Sequence, residues 1–168
     1  EASISSECPA VVLYVERVFP SLVPLLSRHK TYQQIAADYA HSWILDRSMV
    51  NTPRIVSIVQ CYDKKDEGYR DGTRIDHFLG ARNLYAHIKD KFIPDTAYVP
   101  EPWELSRPSN KLEAECEVSG LEECMRIFQR LRAGEAIKGT VELRICRGGC
   151  SHGPALLDTQ TEIPNFAN

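Results

Sequence analysis

The chain has 168 residues, enough for one domain with a sizeable core or one lobe of a larger unit. Its 20 basic and 23 acidic residues leave a net charge of −3 with no basic run, which argues against nucleic acid as a partner. No apolar stretch approaches the ~20 residues of a membrane span, and EASISSECPAVV lacks the basic n-region and cleavage pattern of a signal peptide. A cytoplasmic setting is therefore expected, and the abrupt start without Met suggests a longer parent chain. The six cysteines stand beside Pro, Lys and Gly rather than at even spacing, which favours metal binding or redox chemistry over a disulfide framework.

In chain order, Pro9 suits a first helical position, and Val11, Val12, Tyr14, Val15 and Val18 give an apolar face, so a helix is predicted over about 9–19. Pro20 and Pro24 stop or kink it. A second helix is predicted over 31–47 with Thr31 as N-cap and Ile35, Tyr39, Trp43 and Ile44 on one side, Tyr39 and Trp43 read as core. RIVSIVQ is β-branched and reads as a fully buried strand that runs into Cys61. The charged, Gly-containing stretch 66–74 reads as a loop, RIDHFLG as a strand and 81–92 as a helix. The Pro-rich stretch 94–110 reads as an irregular connection. A helix is predicted over 120–134, capped by Ser119 and ended by Gly134, followed by a strand over 139–145 with Val141, Leu143 and Ile145 on one face. This order favours an α/β fold, with a layered parallel-type sheet and flanking helices.

Two of these strands end in cysteine-bearing loops, where ligands of open α/β sheets collect. Cys61, Cys146 and Cys150 lie at such ends, and Cys8 lies near the positive end of the first helix. Four thiolates suit zinc or an iron–sulfur cluster. Only Cys146 and Cys150 are close in sequence, a poor match to the paired knuckles of structural zinc and an easier one to a cluster held between loops. The competing reading is that all are ordinary buried thiols, as Cys116 and Cys124 are taken to be.

The segments SSECPAVV, VQCYDKKDEG and VELRICRGGCSHGPA resemble, in the same order, the three signatures of the C-terminal catalytic domain of the iron-only ([FeFe]) hydrogenase large subunit. Those signatures read T-S-C-C-P, M-P-C-x-x-K-x-x-E and E-x-M-x-C-x-x-x-C-x-x-G-G-G-Q. Cys8 matches the second cysteine of the first; Cys61, Lys64 and Glu67 match the second; Glu142, Cys146 and Cys150 match the third. The resemblance implies a partial copy of that two-lobed domain over 1–168, its upstream part absent. It also implies a [4Fe–4S] cluster on Cys8, Cys61, Cys146 and Cys150. Cys150 would bridge to a two-iron subsite (the whole being the H-cluster), to which Lys64 would donate, while Glu67 would support the site or a proton path. A ferredoxin-type electron carrier, or fused ferredoxin or sensor domains, would be the partner, and hydrogen oxidation, proton reduction or H2 sensing the activity.

The departures matter as much. Glu7 stands where the family has its proton-relaying cysteine, Val59 and Arg144 replace two methionines, Gln60 replaces a proline, and the G-G-G-Q end reads HGPA. A carboxylate can relay protons, but with different reach and acidity. These replacements resemble divergent, sensory or regulatory members, and CYDKK resembles a branch that serves cytosolic iron–sulfur assembly without hydrogenase activity. The alternative is therefore a non-catalytic [4Fe–4S] module for assembly or signalling. Lys65 reads as surface, and His29, His41, His77 and His87 follow no metal spacing; His152, two residues past Cys150, invites a ligand or proton-shuttle reading, though four cysteines already complete a cubane.

Overall fold

The computed structural model describes residues 2–46, 54–70, 72–91 and 116–156. The predicted connection 94–110 lies outside them, as do Arg47 and Phe92, the last residues of the helices expected over 31–47 and 81–92; the second of these helices ends earlier than expected, at Ile88, with 89–91 in a turn. Two small parallel sheets organise the chain. In the first, β5 (Gly139–Arg144) lies between β1 (Ala2–Ile4) and β4 (Cys116–Ser119), with Ile4 opposite Val141 and Val118 opposite Leu143. In the second, β2 (Val56–Val59) pairs with β3 (His77–Gly80) in parallel, Val59 opposite Gly80. Parallel pairing needs crossover helices: α5 (Leu121–Arg132) joins β4 to β5, and α3 (Tyr62–Arg70) joins β2 to β3. The other α-helices among the described residues are α1 (Pro9–Val18), α2 (Tyr32–Asp46) and α4 (Ala81–Ile88). The expected layered parallel α/β architecture is the one observed.

Each sheet has its own core. Around the first, Val11 and Val15 of α1 and Cys124, Ile127, Phe128 and Leu131 of α5 close over Ile4, Val141 and Leu143. The apolar spacing in α1 and α5 points one stripe of each helix at the sheet. Phe128 is fully buried, stacked on Tyr14 and tilted against Phe19 at ring separations of 5.9 and 5.4 Å. The second core is smaller: Ala37, Val59, Ile75 and Phe78.

Several local expectations are corrected. Residues 66–74 are not all loop, because α3 runs through Gly68 to Arg70. Gly68 is there for packing rather than for a turn: a Cβ on it would lie 1.9 Å from Cζ of Phe78. Strand β2 is half-buried rather than fully buried, with Val56 and Ile58 alternating outward and Val59 inward. On α2 the buried residue is Ala37, while Tyr39 is 73% exposed and Trp43 45%, so neither is core. Thr31 directly precedes α2, as expected of its N-cap, and its amide donates to Gln34 Oε1 at 3.0 Å, but its hydroxyl is turned to Glu67 Oε2 at 3.2 Å. Helix α5 is capped by Gly120, whose φ of +101° suits glycine, since Ser119 belongs to β4. The short strands β1 and β4 carry no sequence signal; three or four residues leave too little alternation to read.

Candidate metal centre

The five strands among the described residues all run parallel to their sheet neighbours, and three of their carboxyl ends lead into cysteines. After β1 the chain turns through Ser5–Glu7 and enters α1 at Cys8, the N-cap residue, with Pro9 in the first turn. Strand β2 passes through Gln60 to Cys61, the residue before α3. Strand β5 leads to Cys146, and a turn closed by Gly149 N–H to the Cys146 carbonyl at 2.9 Å precedes Cys150. Gly148 and Gly149 both have positive φ, +78° and +73°, a pair of left-handed residues that glycine adopts without steric cost.

The loop from β5 then presses onto the second sheet. A Cβ on Gly153 would lie 2.3 Å from the Gln60 carbonyl oxygen, so only glycine lets the backbones approach this closely. The Ala155 amide donates to the Gln60 carbonyl at 2.9 Å, and the Arg82 amide donates to the Ala155 carbonyl at 3.0 Å. The third cysteine segment is thereby bolted to the end of the strand that carries Cys61.

Cys8, Cys61, Cys146 and Cys150 line one cavity, together with Glu7, Lys64 and Asp63. All six cysteines of the chain are free thiols. Desolvation by burial raises the pKa of Cys61, Cys146 and Cys150, and the neighbouring thiols raise it further by mutual repulsion. Cys8 and Cys150 act on both Cys61 and Cys146, which is how a set sharing one small space behaves. For Cys150 the Arg144 guanidinium and the Lys64 ammonium pull the other way. Such a set gains most from a soft cation that discharges the thiolates, which is the chemistry of iron–sulfur ligation.

The space between the lining groups is about 30 Å³, small beside a four-iron cluster as these side chains stand. Among the described residues no three His, Cys, Asp or Glu groups are close enough together to hold one metal ion. Cys116 and Cys124 are elsewhere. Cys124 is fully buried in the first core, donates to the Arg144 carbonyl at 3.4 Å, and has its pKa pushed up to about 11 chiefly by burial.

Glu7, Lys64 and Glu67 come together beside the thiols. Lys64 is 6% exposed and Glu67 5%. The Lys64 ammonium lies 2.9 Å from Glu7 Oε1 and 3.4 Å from Glu67 Oε2. Glu7 Oε2 also accepts from the Tyr32 amide at 3.1 Å, and Glu67 Oε2 from Gln33 Nε2 at 3.1 Å. Glu142 does not face this network but pairs with Arg144, which also binds Glu117 at 2.7 Å. His152 is exposed, its ring near the Gly148 carbonyl, and does not line the cavity. Asp63 and Gln60 also line it, and the only sequence signal for either is that each neighbours a signature residue. Thr31 and Gln33 reach Glu67 from more than thirty residues away, which no local pattern reveals.

The profile of the iron-only hydrogenase large subunit, C-terminal domain, matches residues 1–114 and 102–154, nearly the whole sequence. The chain belongs to that family. Among curated relatives it is similar to the cytosolic Fe–S cluster assembly factor NAR1 of Encephalitozoon cuniculi, 43% identical over 81 residues, or 48% of this chain and 20% of that protein. It is also similar to NAR1 of Yarrowia lipolytica, 37% identical over 70 residues, or 40% of this chain and 14% of that protein. A variant of [FeFe]-hydrogenase HydA1 from Chlamydomonas reinhardtii shares its fold at a TM-score of 0.70 and 17% identity, covering 95% of this chain and 63% of that one. HydA(deltaEFG), solved in a study of stepwise H-cluster assembly, gives the same TM-score and identity. The chain thus spans a fifth or less of these curated relatives and under two thirds of these solved hydrogenases. Among the described residues no helix is long and apolar enough to cross a membrane.

Proposed function

We propose that this iron-only hydrogenase-like domain binds one [4Fe–4S] cluster through Cys8, Cys61, Cys146 and Cys150 and serves iron–sulfur protein assembly rather than hydrogen turnover. The observation that carries the reading is the convergence of four thiols, from three separate loops of two sheets, on one cavity. The cluster would supply a one-electron couple held between the sheets. The protein supplies four sulfur ligands, partial exclusion of water and a fixed charge pattern around them.

Two further observations favour assembly over hydrogen chemistry. Lys64, which the family resemblance assigns to a two-iron subsite, already has two carboxylate partners in Glu7 and Glu67. The curated relatives named above are assembly factors. On this reading residues 1–168 are part of a larger domain, working in the cytosol, with a ferredoxin-type carrier as the electron partner. The sensory or catalytic reading shares the same four ligands and differs in having the two-iron subsite with its CO and CN ligands.

The test is infrared and EPR spectroscopy of the anaerobically reconstituted chain beside single Cys→Ser variants. A cubane signal without CO or CN bands, weakened by substitution of Cys8, Cys61, Cys146 or Cys150 and not of Cys116, is expected. CO and CN bands after maturation would overturn the assembly reading, and an iron-free protein would overturn both.

A further inference from the structure

We infer that Glu7 and Lys64 form a positioning pair that clamps Cys8 against Cys61 and sets the charge felt by the cluster; this rests on the four-cysteine reading above. Glu7 directly precedes Cys8, in the loop between β1 of the first sheet and α1. Lys64 lies three residues after Cys61, in the first turn of α3, which leaves the second sheet. Their 2.9 Å ion pair therefore ties a ligand of one sheet to a ligand of the other. The Tyr32 amide holds the second oxygen of Glu7, and Glu67, itself held by Thr31 and Gln33, holds Lys64 from behind. Both carboxylates are held by further partners, so a shift of Cys8 relative to Cys61 strains the contact between the half-buried Glu7 and the buried Lys64.

Glu7 and Lys64 both line the cavity, so their charges reach a bound cluster through little water. A positive charge there favours the reduced cluster and a negative charge the oxidised one. Together the two nearly cancel, and Glu7 occupies the ammonium that would otherwise attract an anionic group into the site. Glu7 is thus the residue that suits this cavity to a cubane alone.

The experiment compares the full chain with its Glu7→Gln, Lys64→Met and doubly substituted forms after anaerobic reconstitution, reading midpoint potential by EPR-monitored titration and iron release to a chelator. The pair predicts a higher potential for Glu7→Gln, a lower one for Lys64→Met, a double variant near the parent, and several-fold faster iron release in each single variant. Shifts of the same sign, or none, with iron present would overturn the pair's role while leaving the ligand assignment standing. A parent chain that takes up no iron would overturn the ligand assignment and this inference with it. If Lys64→Met does not fold, Glu7→Gln alone decides by whether its potential rises.

Discussion

Gly153 offers the sharpest perturbation of the join between the sheets. Its backbone lies so close to the Gln60 carbonyl that an added methyl would sit 2.3 Å from that oxygen and 3.0 Å from its carbon. Both are backbone atoms at the end of β2, one residue before Cys61, and cannot rotate away as a side-chain tip would. Overpacking of this kind costs about 1–3 kcal/mol. Displacing the segment also loosens the 2.9 Å bond from the Ala155 amide to Gln60, worth about 0.5–1.5 kcal/mol. Gly153→Ala is therefore expected to lose about 1.5–4.5 kcal/mol, a drop of about 1–2 M in urea midpoint if m is about 2 kcal/mol per M. Urea unfolding of the apo-protein reads this directly, with exposed Glu16→Ala on α1 as a control expected within about 0.5 kcal/mol of the parent. The same variant should retain less iron, because Cys150 is pushed away from Cys61. A Gly153→Ala protein that unfolds and binds iron like the parent would refute the claim that this contact assembles the site.

Phe128→Ala should cost about 3–5 kcal/mol by thermal or urea unfolding, since it empties the centre of the first core. Tyr39→Ser should change stability by no more than about 0.5 kcal/mol, because the ring is exposed; a loss of about 2 kcal/mol would restore it to the core. Cys124, with a thiol pKa of about 11, keeps only about one part in a thousand as thiolate at pH 8 and should be the last cysteine of the native apo-protein to react with iodoacetamide. Its unfolded thiol ionises near the ordinary 9 and its folded thiol near 11. Its contribution to stability is therefore intact below pH 9 and falls as pH rises from 9 towards 11, which pH-dependent unfolding of the parent beside Cys124→Ala would isolate.

The legible parts of the sequence were those where one residue type has one use. Pro9 before a valine stripe marked α1, and the alternation of Val141 and Leu143 marked β5, because both periods span enough residues to stand out. The four cysteines were legible as a set because each sits at an element boundary, and the structure brings them to one cavity. Glu7, Lys64 and Glu67 could be singled out only one at a time; that they form one network depends on how α3 packs beside α1. Gly68 misled because a glycine in a charged run signals a turn from sequence alone, whereas here it makes room for Phe78, ten residues on. Tyr39 and Trp43 misled for the opposite reason. A helical apolar stripe announces that something could be buried, and on α2 the side facing the second core instead uses Ala37.

The most direct test of the cluster assignment is the count of iron and acid-labile sulfide per chain after anaerobic reconstitution. About four of each is the predicted result, with Cys61→Ser falling well below it. A chain that binds no iron, or holds a single zinc instead, would contradict the account.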